Sequence, residues 1–167
     1  MDPFLYGDVD GFDPQTSAWL RGLQHLEENL QNWVTDLDQE GYWWVPSEAV
    51  NPIGSLVRHI GGASLRLLHY AQGRMPSDEL REEGATDFVP SGAPGRELLA
   101  ECLERLATVR AGLKALSPDE HALVREVGRK RIPVRTTIIV QHLLEHGHAH
   151  AGQVITMRKL YDAVGRP

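Results

Sequence analysis

Apolar residues recur along this chain at steps of three and four, the spacing that gathers them on one face of a helix. Asp13-Pro14 reads as a helix start, since proline fits the first helical position. From there Trp19, Leu23, Leu26, Leu30, Trp33 and Leu37 keep the rhythm. Asn51-Pro52 opens a second stretch, with Ile53, Leu56, Ile60, Ala63, Leu67 and Tyr70 on its seam. Leu99, Cys102, Leu106, Val109, Leu113 and Leu116 mark a third. A fourth runs from about Arg135 to Val164 through Ile139, Leu143, His146, His150, Gln153, Met157, Leu160 and Val164. Four long amphipathic helices predict an all-α fold, a four-helix bundle forming one domain over residues 1–167. Residues 1–12 are expected to be a flexible N-terminal segment.

The connections differ in kind. Between helices two and three lies GRMPSDELREEGATDFVPSGAPG, polar and rich in glycine and proline. So long a connection predicts a crossover along the bundle, with part of it serving as a lid. Between helices three and four, short β-like runs flank Gly128 in SPDEHALVREVGRKRIPVR, which predicts a hairpin or an irregular strand.

Composition narrows the function classes. Hydrophobic residues make up 41% and charged residues 24% of the chain, proportions of a globular fold rather than a disordered one. A formal net charge of −6 argues against nucleic acid, which selects a basic face. No apolar run is long enough to cross a membrane. The opening MDPFLYGDVDGFDP is acidic and lacks the basic-then-apolar layout of a signal peptide. A lone cysteine, Cys102, makes no internal disulfide, so a reducing cytoplasm is expected.

The chemistry concentrates in HLLEHGHAHAGQ, where His142, His146, His148 and His150 fall within nine positions. On the fourth seam, His146, His150 and Gln153 stand where Leu or Ile would pack. An unpartnered polar group there costs on the order of 1–3 kcal/mol, so something must offset it. Imidazoles four residues apart share a helix face and can ligate one ion. By the same geometry His148 points outward. His59, on the second helix and followed by Gly61 and Gly62, supplies the third ligand. Three neutral imidazoles with a free fourth position describe a catalytic rather than a structural zinc site. His142 flanks the site as a ligand, a proton carrier or a surface residue. His25, His69, His121 and His148 read as surface or structural, Cys102 as a small buried hydrophobe, and Arg129, Lys130 and Arg131 as solvated charge.

Two other metal motifs fail on residues. A zinc protease of the H-E-x-x-H type needs Glu where this chain has Gly147. A di-iron bundle needs two Glu-x-x-His pairs, and only Glu145 with His148 is present.

EHGHAHAGQV and YWWVPSEAVNPIGSLVRHI together resemble the DinB/YfiT-like superfamily of metalloenzymes. The first is similar to that family's H-x-x-x-H-x-G-Q signature on its last long helix. The second is similar to its Trp-Pro, Asn-x-Ile-Gly, then His stretch. The resemblance implies a bundle with a histidine triad at one end, frequently dimeric. It places metal ligands at His59, His146 and His150, with Gly152-Gln153 as the trailing pair, and a divalent ion such as zinc or nickel. It also brings thiol-dependent S-transferases and isomerases into view, with a low-molecular-weight thiol as a second cofactor. Gly147 and Ala149 stand where that family often has Glu and His, and Ala151 where it often has Arg. A metal-dependent hydrolase, a non-catalytic binding bundle in stress response, and a water-filled site whose imidazoles bond to one another remain alternatives.

Overall fold

The computed structural model of the protein describes residues 1–165. Its long helices are α1 (Pro14–Val34), α3 (Ile53–Ala71), α5 (Gly95–Ala115) and α7 (Thr136–Leu160). Short helices α2 (Gln39–Trp43), α4 (Asp78–Thr86) and α6 (Pro118–His121) lie in the connections, with strands β1 (Val124–Val127) and β2 (Ile132–Arg135). Asp13 caps α1, its carboxylate accepting from the backbone N–H groups of Gln15 and Thr16, with Pro14 at the first helical position.

Side-chain contacts fix the topology. Gly61 of α3 lies beside Cys102 of α5, and Gly112 beside Leu68, so these two helices run parallel. Thr136 at the start of α7 bonds the Ala71 carbonyl at the end of α3, so α3 and α7 run antiparallel. Gly22 meets Leu144 and Arg158 reaches the Trp33 carbonyl, which makes α1 and α7 parallel. The order is therefore up, down, down, up, with α3 packed between α7 and α5 and α1 on their far side. Two successive helices pointing the same way require a connection that travels back along the bundle. Residues 72–94 make that return, as their length and composition predict, and fold part of it into α4.

The core joins Trp19, Leu23, Leu26 and Leu30 of α1 to Leu56, Ile60 and Leu68 of α3, Leu106, Val109 and Leu113 of α5, and Val140, Leu143 and Val154 of α7. Gly61 permits a close approach of α3 to the α5 backbone: a Cβ there would lie 3.0 Å from the Cys102 Cα. β1 and β2 form the hairpin expected around Gly128, pairing Val124 with Arg135 and Val127 with Ile132. Arg129, Lys130 and Arg131 sit exposed at its turn. The N-terminal segment lies against α1, where Val9 N–H donates to Ser17 Oγ at 3.0 Å and Arg21 Nε to the Gly7 carbonyl at 2.9 Å. Among the described residues no helix is long and apolar enough to cross a membrane.

One expectation needs correction. The spacing predicts a fourth seam through His146, His150, Gln153, Met157, Leu160 and Val164, but the buried line of α7 is Ile139, Leu143, Gly147, Ala151, Val154, Met157 and Tyr161, the last just past the helix end. Alternating steps of four and three repeat every 3.5 residues, and a straight helix drifts by about 20° per heptad against that count. By Val164, 74% exposed, the expected seam has left the core. The histidines stand on the shoulder of α7 that faces α3, partly covered rather than sealed.

Candidate metal centre

His59 projects from the middle of α3, and His146 and His150 from successive turns of α7. Because α3 and α7 are antiparallel neighbours, the three imidazoles meet across the groove between them. One ring nitrogen from each lies within 4.8 Å of the other two. His59 Nε2 is 3.2 Å from His146 Nε2, and the His146 and His150 ring centroids are 4.6 Å apart.

Two of the three rings are oriented from behind. His59 Nδ1–H donates to Asp87 Oδ2 at 2.9 Å, and Arg66 Nη2 donates to the same oxygen at 2.8 Å. Asp87 is 1% exposed, and burial alone would raise its pKa. The hydrogen bonds from His59 and Arg66, with the Arg66 charge, outweigh that and hold the carboxyl below its ordinary value. An ionised Asp87 only accepts, which fixes the proton of His59 on Nδ1 and turns the Nε2 lone pair inward. His150 Nδ1–H donates to Gln153 Oε1 at 2.9 Å, leaving its Nε2 as the free acceptor.

His146 is held neutral by burial first, and then by the charges that His150, His59, His142 and Arg66 would carry; its pKa falls to about 4. At neutral pH it is thus an uncharged imidazole, with one ring nitrogen protonated and the other a lone-pair donor. The donor set fits a first-row divalent ion. Two nitrogens bound at about 2.0–2.1 Å with tetrahedral angles stand about 3.3 Å apart, close to the observed Nε2 separation. Among the described residues no further His, Cys, Asp or Glu joins the group, so three imidazoles could ligate an ion here and would leave a fourth position open.

The crossover closes one flank. Arg58 donates through Nη2 to the carbonyls of Thr86, Asp87 and Val89, each at 2.6 Å, gathering the chain just past α4. This places the Phe88 ring 4.3 Å from His59 and 6.0 Å from His150.

The remaining histidines fall outside the cluster. His142 is exposed, its ring 5.7 Å from that of His146. His148 does not point to solvent, which corrects that expectation: it is half-buried against α1, its Nε2 donating to the Gly22 carbonyl at 3.0 Å beside His25. The cause is that α7 has two neighbours, so the face turned from α3 meets α1. His121 is buried beside Trp19 with its Nε2 3.3 Å from Thr16 Oγ1, a clasp of α6 on α1. Cys102 is buried beside Gly61, and burial pushes its thiol up to about 12, which keeps it protonated.

Asp87 and Arg66 are the site residues that periodicity misses. Asp87 sits in an acidic, irregular stretch where nothing local separates it from Asp78 or Glu79. Only the fold shows which acid reaches His59.

The fold is similar to that of YfiT from Bacillus subtilis, "a probable metal-dependent hydrolase with an unusual four-helix bundle topology". That comparison has a TM-score of 0.67 at 15% identity and covers 97% of this chain and 95% of that one. No protein of curated function matches the sequence significantly. The family model of the DinB superfamily matches residues 23–154, which together with a bundle carrying three convergent imidazoles leads to one conclusion: the chain belongs to the DinB superfamily.

Proposed function

We propose that His59, His146 and His150 hold one divalent ion, zinc or nickel, and that the protein is a metal-dependent hydrolase of a small molecule. The observation that carries this is the convergence of three imidazoles, two of them with Nδ1–H already committed to Asp87 and Gln153. Nitrogen ligands of this borderline character suit both metals. The likeness to YfiT supports water as the attacking group. An ion in this site supplies Lewis acidity and makes a water or thiol acidic enough to act as a nucleophile near neutral pH.

The chain's own residues do the rest. Asp87, braced by Arg66, fixes the ring plane and tautomer of His59, and Gln153 does the same for His150. Phe88 covers the rings from the crossover side and limits water there. His142, exposed one turn before His146, is placed to pass protons between the site and solvent.

The test is metal content by elemental mass spectrometry on untagged protein, followed by hydrolysis of activated esters with and without an added thiol. About one ion per chain, lost in His59→Ala, His146→Ala and His150→Ala while the helix signal persists, is the expected result. Equal metal in wild type and the three variants sinks the triad. Turnover that appears only with a thiol replaces hydrolysis by the S-transferase or isomerase chemistry of the family resemblance.

A further inference from the structure

A cavity of about 440 Å³ opens beside the triad, between α7 and the loop that leads into α3. Its floor is Leu56 and Met157, both buried, and its rims are Val50 and Leu160, each 40% exposed. Among the described residues no Asp, Glu, Lys or Arg lines it. Gln153 links the cavity to the histidine cluster: it lines the cavity and accepts from His150 through Oε1. Leu56 is one turn before His59 on α3. Along α7 the lining runs from Ala149 to Leu160, about 16 Å at 1.5 Å per residue.

Gly152 sits in this stretch for a different reason than the packing glycines. It is helical and exposed, and a Cβ built on it would meet nothing within 4 Å. Glycine is among the poorest helix formers, so its presence mid-helix calls for a reason. Neither a close neighbour nor an unusual φ supplies one here; the space above it belongs to the cavity.

From this we propose that the cavity is the specificity subsite of the hydrolase read above, and that it takes an uncharged acyl or alkyl arm of the substrate. The reading rests on the metal-dependent site of the preceding section. A charged arm would lose its hydration there and find no counter-ion among the described residues, whereas an aliphatic arm gains by covering Leu56 and Met157. Gln153 is the specificity hinge. Its oxygen is committed to His150, while its amide Nε2–H₂ has no partner among the described residues and is placed to donate to a carbonyl where the arm joins the reacting group.

The test is calorimetric and independent of turnover. The zinc-loaded full-length protein is titrated with straight-chain hydroxamates, from acetohydroxamate to octanohydroxamate, whose head group chelates the ion while the tail samples the cavity. A fully buried methylene is worth about fourfold in affinity, and a half-covered one about twofold. The expected series therefore tightens by about two- to fourfold per carbon, and a carboxylate at the far end of the chain cancels the gain. Gly152→Leu, which fills the cavity from the helix, flattens the series. A flat series in the wild type, an undiminished gain in Gly152→Leu, or tighter binding of the carboxylate-ended chain overturns the subsite while leaving the triad standing. Failure of the protein to take up zinc, or of acetohydroxamate to bind the loaded protein, overturns the metal reading and the subsite with it.

Discussion

Asp87 joins the crossover to the histidine cluster through a single oxygen, which accepts from both His59 and Arg66. Partners that orient a metal-binding histidine typically change metal affinity by about 10–100-fold when removed. Asp87→Ala is therefore expected to weaken metal binding by that factor in competition with a chromophoric chelator. Asp87→Asn should recover part of the loss, because its amide oxygen still accepts from His59 Nδ1–H although the Arg66 charge goes unanswered. Equal affinity in all three proteins would reduce Asp87 to a clasp for the crossover. At this scale the sequence is uneven as a guide. His59, His146 and His150 were legible because imidazoles at helical spacing are rare among apolar steps. Gln153 was legible as a polar break in the seam and as the end of a signature, while its bond to His150 came from the structure. Asp87 was not legible, because its role depends on how a 23-residue return path lies over α3, and no local pattern encodes that path.

The long helices follow from spacing and caps, and the structure starts α1, α3 and α7 where Asp13-Pro14, Asn51-Pro52 and Arg135 suggest. Their rotation follows less well. A seam counted in fours and threes slips steadily against a straight helix: at the end of α1 Val34 rather than Trp33 is buried, and on α7 the buried line has already passed from His146 to Gly147 one heptad after Ile139. Helix separation depends on single small residues, and Gly61 sets the gap between α3 and α5. A Cβ at that position presses on backbone, the Cys102 Cα at 3.0 Å, which cannot rotate away as a side chain would. Gly61→Val adds two further carbons to the same contact. Overpacking of a tight interface typically costs about 1–3 kcal/mol, so the urea midpoint is expected to fall by that loss divided by an unchanged slope. Because His59 lies two residues away on the same helix, the variant should also bind metal more weakly. Unchanged stability would mean that α3 and α5 part without cost.

The up-down-down-up order places the cluster on the antiparallel pair α3 and α7, while α1 packs on the other side of α7 and encloses His148. This arrangement makes acid a threat to the whole fold before it reaches the carboxylates. His69, His146 and His148 all have pKa values pushed below the ordinary histidine value, in each case with burial as the largest cause. In the unfolded chain they take up protons near pH 6.5, whereas the folded chain resists, His146 down to about 4. Across that interval the unfolded state binds more protons, so stability rises with pH and falls as pH is lowered. Asp13 and Asp87, whose pKa values are lowered, add their loss only below about 4, as the pH drops past the ordinary carboxylate value. Thermal melts of metal-free protein should therefore show a falling midpoint from about pH 6.5 toward 4, ahead of the carboxylate range. His148→Gln keeps a donor for the Gly22 carbonyl but cannot be protonated, so it should lose part of the decline between those limits. Adding a divalent ion should raise the midpoint at neutral pH, since a ligand that binds only the folded chain stabilises it, and should raise it less as protons compete for the imidazoles. A midpoint that stays level down to pH 4 in the metal-free protein would show that these imidazoles are as open to water in the fold as they are out of it.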